Sequence, residues 1–160
     1  YLSGHGFSGV DFISLRNGEE IVLWEIKNFR RRKNGGNHDP EFKLVNDPEQ
    51  FHFEIAEKVK DTILLIQTVK KYYLRKWWYR VFFRFFKKRK FPKSDWIYWS
   101  RLEYLIRTKG IHFILWMETE EVDPISFLDP IQSQLVSLNA KIEIIDSKRN
   151  PYRDSVQGII

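Results

Sequence analysis

Asp11 and the triplet Glu25-Ile26-Lys27, which begins fourteen positions later, are the residues of this chain whose types and spacing could do chemistry. Two carboxylates and an ammonium gathered around one metal-bound water form a phosphodiester-cleaving arrangement. Whether they meet depends on the strands that carry them. Val10 and Phe12, then Val22, Trp24 and Ile26, form one alternating apolar set, and Asn17-Gly18 between the two runs is a strong hairpin signal. A plain two-residue Asn17-Gly18 turn makes paired residue numbers sum to 35. Asp11 then faces Trp24, and Glu25 and Lys27 point to the opposite side of the sheet. A three-residue loop Arg16-Asn17-Gly18 with Gly18 left-handed, a five-residue loop, or one bulge makes the sum even. Asp11, Glu25 and Lys27 then share a face with Ile13, Leu15, Ile21 and Leu23, a polar cluster at one end of an apolar surface. The chemistry therefore requires an irregular turn.

Gly9-Val10-Asp11-Phe12-Ile13 followed by Val22-Leu23-Trp24-Glu25-Ile26-Lys27 resembles the PD-(D/E)XK nuclease superfamily. Its core is a β-sheet flanked by helices, with an Asp and a Glu-x-Lys on adjacent strands. The resemblance is close over about the first thirty residues and loose over the later element order. It implies a restriction-endonuclease-like α/β (α+β) fold, with Asp11 and Glu25 as Mg²⁺ or Mn²⁺ ligands and the main-chain carbonyl of Ile26 as a further ligand. It also implies that Lys27 orients the attacking water or stabilises developing charge. Many members carry a Gln on the helix after Glu-x-Lys, a role for which Gln50 is the candidate, and another acid on an upstream helix. Nothing before Tyr1 supplies that acid, and because the chain opens on Tyr rather than Met a missing N-terminal segment is expected. The bland alternative is a solvated Glu25/Lys27 ion pair beside an Asp that caps a strand.

Gly4-His5-Gly6-Phe7-Ser8-Gly9 is formally a G-x-G-x-x-G, with Lys27 eighteen positions beyond Gly9, as in a protein kinase. No His-Arg-Asp or Asp-Phe-Gly follows, and the glycines lead into a strand rather than a helix, which excludes kinase and dinucleotide readings. The segment reads as a flexible approach to the first strand, with His5 a possible phosphate contact.

The 160 residues, 42% hydrophobic, suffice for one domain with a substantial core. With no cysteine, disulfides and thiolate metal sites are excluded, and a cytoplasmic location is expected. No apolar run reaches the length of a membrane span and no signal peptide pattern opens the chain. The net charge of +6 is local: eleven Lys or Arg and no acid lie between Thr62 and Ser94, leaving 16 basic and 21 acidic residues elsewhere. Arg30-Arg31-Arg32-Lys33 forms a second cluster directly after the Glu-x-Lys strand. Both suit sequence-independent binding of nucleic-acid phosphates. DNA is the favoured partner, no small-molecule cofactor is implied, and a homo-oligomer stays open.

Asp47, Pro48 and Gln50 read as N-cap, first helical position and capping-box partner of a long helix. Run to Lys90, before Pro92, it would span roughly 60 Å, so a kink or break is expected. Lys76, Arg80, Arg84 and Lys87 share one side of it, with Tyr72, Tyr73, Trp77, Trp78, Tyr79, Val81, Phe82 and Phe85 nearby. That pattern fits a core helix with a solvated basic face. It also fits a nucleic-acid platform that tracks phosphates and stacks bases, or a membrane-surface helix. Ser94 or Asp95 begins a helix to Lys109, ended by Gly110; Ile111 to Met117 and Lys141 to Ile145 read as strands, and Asp123-Pro124 and Asp129-Pro130 as two helix starts. The resulting order predicts a mixed sheet with helices on both faces. Taken with the resemblance, it implies a nuclease-like domain over 1–146, with a helical insertion over 48–109 and a tail over 147–160. His38, His52 and His112 lack metal-ligand spacing, and Glu118, Glu120 and Glu121 read as a solvated strand exit. A catalytically silent nucleic-acid-binding or assembly module of the same fold is the alternative function.

Overall fold

The computed structural model describes residues 8–30, 41–77, 81 and 95–151. Four strands form one mixed sheet in the order β1 (Phe12–Arg16), β2 (Glu20–Asn28), β3 (Ile111–Glu118), β4 (Ala140–Ile145). β1 and β2 are antiparallel, whereas β2, β3 and β4 run parallel. A parallel neighbour needs a crossover. The β2–β3 crossover carries α1 (Phe42–Asn46), α2 (Pro48–Leu74) and α3 (Asp95–Lys109); the β3–β4 crossover carries a 3₁₀ turn (Pro124–Phe127) and α4 (Leu128–Leu135).

The hairpin has the irregularity that the chemistry requires. Asn17 and Gly18 both adopt left-handed φ, 53° and 69°, and Glu19 N–H donates to the Arg16 carbonyl at 3.0 Å, a tight two-residue turn. Yet Arg16 pairs with Glu20 and Phe12 with Trp24, so Glu19 is an extra residue on the β2 side and paired numbers sum to 36. Ile13, Leu15, Ile21 and Leu23 therefore share one face, as expected.

That face is the core. Ile21 and Leu23 of β2, Phe113, Leu115 and Met117 of β3 and Ile142 of β4 pack with Ile55, Ala56 and Val59 of α2, Leu102 and Leu105 of α3, and Ile131 and Leu135 of α4. The opposite face holds a smaller cluster, Val22, Ile114 and Ile145 under Trp24 and Trp116. Among the described residues the helices contribute to the first face alone, which departs from the expected layer on each side. The alternation of β1 and β2 explains this: the outward set includes Phe12, 59% exposed, and Ile26, 48% exposed.

α2 begins as expected, with Pro48 at its start and the Asp47 carboxylate accepting from Gln50 N–H at 3.1 Å. The capping box is not completed, because the Gln50 side chain instead donates to Glu54 at 3.0 Å. The helix stops at Leu74, where Arg75 and Lys76 N–H turn back to the Tyr72 and Tyr73 carbonyls, well short of Lys90. Trp78, Tyr79, Arg80 and residues 82–94 lie outside the described residues. α4 starts at Leu128 rather than at Asp129-Pro130, continuing directly from the 3₁₀ turn that Asp123 caps. The strands extend the expected ranges by one residue each, and Gly110, at φ 82°, ends α3 as expected. Ser147 to Arg149, expected as part of a tail, are tied back to Glu118, Asp146 and Asp123.

Candidate active site

A sum of 36 sets Asp11, one residue before β1, opposite Glu25. Odd-numbered β2 residues face the helices, so Lys27 follows Glu25 on the same side, at the end of the apolar face. Even-numbered β2 residues direct N–H and C=O toward β1. Because β1 starts at Phe12, the Ile26 N–H lacks a strand partner, and the Asp11 carboxylate accepts it at 2.8 Å. Asp11 thus caps the ladder, and the Ile26 carbonyl leaves β2 on the same edge.

Glu25 is fully buried. Its Oε1 takes two ammonium groups, Lys58 Nζ from α2 at 2.5 Å and Lys27 Nζ at 2.9 Å, while its Oε2 is buried with no hydrogen-bond partner. Both lysines retain some exposure, 20% and 30% of their side chains, so the site opens on their side. Burial of the Lys27 ammonium opposes its charge. Hydrogen bonding and charge from Glu25, with Asp11 adding, outweigh that and hold its pKa above the usual lysine value. The segment before β1 is tied to α2: Ser8 N–H donates to Asp61 and Val10 N–H to Thr62 Oγ1, each at 2.9 Å. Gly9 lies against Thr62, where an added Cβ would come within 3.5 Å of its hydroxyl.

The sequence reading missed Lys58. It lies three residues after Ile55 and four before Thr62, both buried, so a lysine inside the apolar stripe of an amphipathic helix was the available signal. Gln50, assigned that region of the helix from the resemblance, is exposed, bonded to Glu54, and about 12 Å along the helix axis from Lys58. The structure does not bring it to Glu25.

The donors fit a hard divalent cation by chemistry: oxygen only, with an unpartnered buried carboxylate oxygen on Glu25, Asp11 opposite, and the Ile26 carbonyl on the strand edge toward Asp11. Among the described residues, no group of three or more His, Cys, Asp or Glu is gathered to hold a metal. Side-chain ligation there rests on Asp11 and Glu25.

Of the basic residues singled out from sequence, Arg30 pairs with Glu118 at 2.5 Å and donates to Ser147 at 2.8 Å, bracing the strand end. Glu118 is buried, also accepting from Trp116 and Ser147 N–H, and is not a solvated strand exit. Backbone N–H groups of Glu120, Glu121 and Val122 converge on the buried Glu41 carboxylate. Lys76 is exposed, as are Tyr72 and Trp77, the last at 74%. Arg31, Arg32, Lys33, Arg80, Arg84, Lys87, His5 and His38 lie outside the described residues. His52 and His112 are both buried; His112 sits between Glu143, at 3.0 Å, and Glu20, at 3.4 Å. Among the described residues no helix is long and apolar enough to cross a membrane.

No protein-family model, no curated protein and no solved structure matches this chain.

Proposed function

We propose that this chain is a divalent-metal-dependent nuclease with a restriction-endonuclease-like core, hydrolysing phosphodiester bonds of nucleic acid, DNA rather than RNA. The observation that carries the reading is the convergence of Asp11, Glu25 and Lys27 at one end of the core face, with a Glu25 oxygen buried and unpartnered. A buried polar atom left unbonded costs about 1–3 kcal/mol, so its retention favours a ligand role.

Asp11 and Glu25 would hold Mg²⁺ or Mn²⁺, with the Ile26 carbonyl on the same edge. When bound, the cation lowers the pKa of water and neutralises phosphate charge. Lys27, on the face that holds both acids, orients the attacking water and offsets charge growing on the phosphate oxygens. Water oxygen bonds to phosphorus and gives up a proton to solvent as the bond to the leaving oxygen breaks, and the leaving oxygen takes a proton from solvent. Lys76, Arg80, Arg84 and Lys87, with Arg31, Arg32 and Lys33, would bind flanking phosphates without reading sequence. Arg30 is a weaker candidate, since Glu118 already neutralises it.

Two observations favour the silent-module alternative: two ammonium groups already satisfy Glu25 Oε1, and the Asp11 carboxylate caps the ladder by accepting Ile26 N–H. Incubation with plasmid, single-stranded DNA and RNA in Mg²⁺ or Mn²⁺, with and without EDTA, separates the two readings. Cleavage that EDTA stops, and that Asp11→Ala, Glu25→Ala and Lys27→Ala each reduce at least about 100-fold while binding persists, is the expected outcome. Binding without cleavage by the unaltered chain supports the silent module.

A further inference from the structure

The Glu25 cluster is balanced before any cation enters: Lys27 and Lys58 against Asp11 and Glu25, with both ammonium groups on one buried oxygen. A divalent ion at the same carboxylate would leave two unbalanced positive charges beside it, close to two ammonium groups that each repel it. Lys27 is fixed two residues along the same strand. Lys58 comes from a different element, so the strand geometry that keeps Lys27 beside Glu25 does not hold it, and its side chain, 20% exposed against 30% for Lys27, still reaches the surface. Of the two, it is the one able to leave. From α2 its ammonium would stay within reach of a phosphate held by a cation on the two acids.

We infer that Lys58 is an exchangeable counter-ion: its ammonium neutralises Glu25 from Oε1 while Oε2 has no partner, leaves when a divalent cation binds that carboxylate, and then contacts the substrate phosphodiester, so that metal and phosphodiester load together. This rests on the metal-dependent nuclease reading. Lys58 is a positioning and substrate-contact residue in it, distinct from the Asp11–Glu25–Lys27 set.

Binding of Mn²⁺, followed by the loss of its free-ion paramagnetic resonance signal, tests the exchange without reference to cleavage. The protein is the full chain, unaltered or carrying Lys58→Met or Lys58→Arg, with and without dimethyl phosphate as the phosphodiester probe. Lys58→Met should tighten Mn²⁺ binding on the order of tenfold or more. Lys58→Arg should return it to near the unaltered value, and adding Asp11→Asn to Lys58→Met should remove the gain. Dimethyl phosphate should strengthen Mn²⁺ binding in the unaltered chain and do so much less in Lys58→Met. Unchanged Mn²⁺ affinity in Lys58→Met overturns the exchange while leaving the nuclease reading standing, as does an equal response to dimethyl phosphate in both for the phosphate contact. Absence of Mn²⁺ binding in every variant, with or without the probe, overturns the inference together with the metal site.

Discussion

Glu25 is the most enclosed ionisable side chain at the site, yet only one of its oxygens is bonded. A purely structural carboxylate would be expected to satisfy both, as Glu118 and Glu41 do. The difference yields a stability test. Glu25→Gln should melt at or slightly above the unaltered temperature, because its two lysines can reach solvent. Lys27→Met with Lys58→Met leaves a buried carboxylate unpaired and should cost roughly 2 kcal/mol or more, about 4–8 °C. Calorimetric melting decides it, and a larger loss in Glu25→Gln would make Glu25 a brace rather than a ligand. His52 gives a second residue-level prediction. It packs edge-on to Phe51 and Phe127 with Nε2 buried and unpartnered. Burial, opposed by the Glu49 charge, pulls its pKa below the usual histidine value. A depressed pKa means that the folded state resists protonation: its contribution is intact above about pH 6.5 and lost as pH falls below that. His52→Phe should therefore flatten part of the decline in melting temperature between about pH 6.5 and 5, and an unchanged decline would contradict this. Asp11, Glu25 and Lys27 were legible from residue type and spacing; for Lys58 only its place in the apolar stripe of α2 was legible and not its partner, which lies 33 positions away on a different element.

The hairpin decides whether the site exists. Its apolar alternation and Asn17-Gly18 turn could be read from sequence, but the extra residue at Glu19 could not, since nothing in Glu19 itself marks a bulge. Parity could be inferred only by requiring Asp11 and Glu25 to meet. Deleting Glu19 would restore a sum of 35, so either Ile13 and Leu15 leave the core or Asp11 leaves Glu25. The expected outcome is lost cleavage together with a lowered denaturation midpoint, and retained cleavage would show that the bulge is dispensable. Gly18→Ala is a milder probe of the same turn: at φ 69° a Cβ is strained by about 1 kcal/mol, with register and activity kept. Gly110→Ala should cost more, because at φ 82° its Cβ would also collide with the Asn139 carbonyl. Equal losses on denaturant titration would remove that distinction. α2 shows the opposite limit of sequence reading. Asp47-Pro48 announced its start, but no Gly or Pro marks its end at Leu74, so the apolar and basic pattern read on toward Lys90.

At the scale of the whole molecule, the larger core among the described residues holds one face of the sheet against α2, α3 and α4, and the C-terminal ends of the parallel strands carry Lys27, Arg30 and Glu118. The expected mixed sheet and most elements were legible because periodicity reports burial; which face the described helices cover was not, because alternation says which residues share a face and not what covers it. Eleven basic residues without an acid between Thr62 and Ser94 give a chain otherwise acidic a strongly positive segment. Reversal of Lys76, Arg80, Arg84 and Lys87 to Glu should weaken binding to any nucleic-acid sequence and flatten the slope of log affinity against log salt by about 0.7–0.9 per lost phosphate contact. Unchanged affinity and slope would remove that surface from the account, and lost adsorption to anionic vesicles instead would point to a membrane surface. The claim beneath all of these is that Asp11 and Glu25 share one divalent cation. Crystals grown with Mn²⁺ and a short DNA duplex test it directly by anomalous diffraction. A peak at coordination distance from Glu25 Oε2 and the Asp11 carboxylate, with Lys58 turned away from Glu25, is expected; a difference map with both lysines still on Glu25 and no peak between the acids would refute a shared cation.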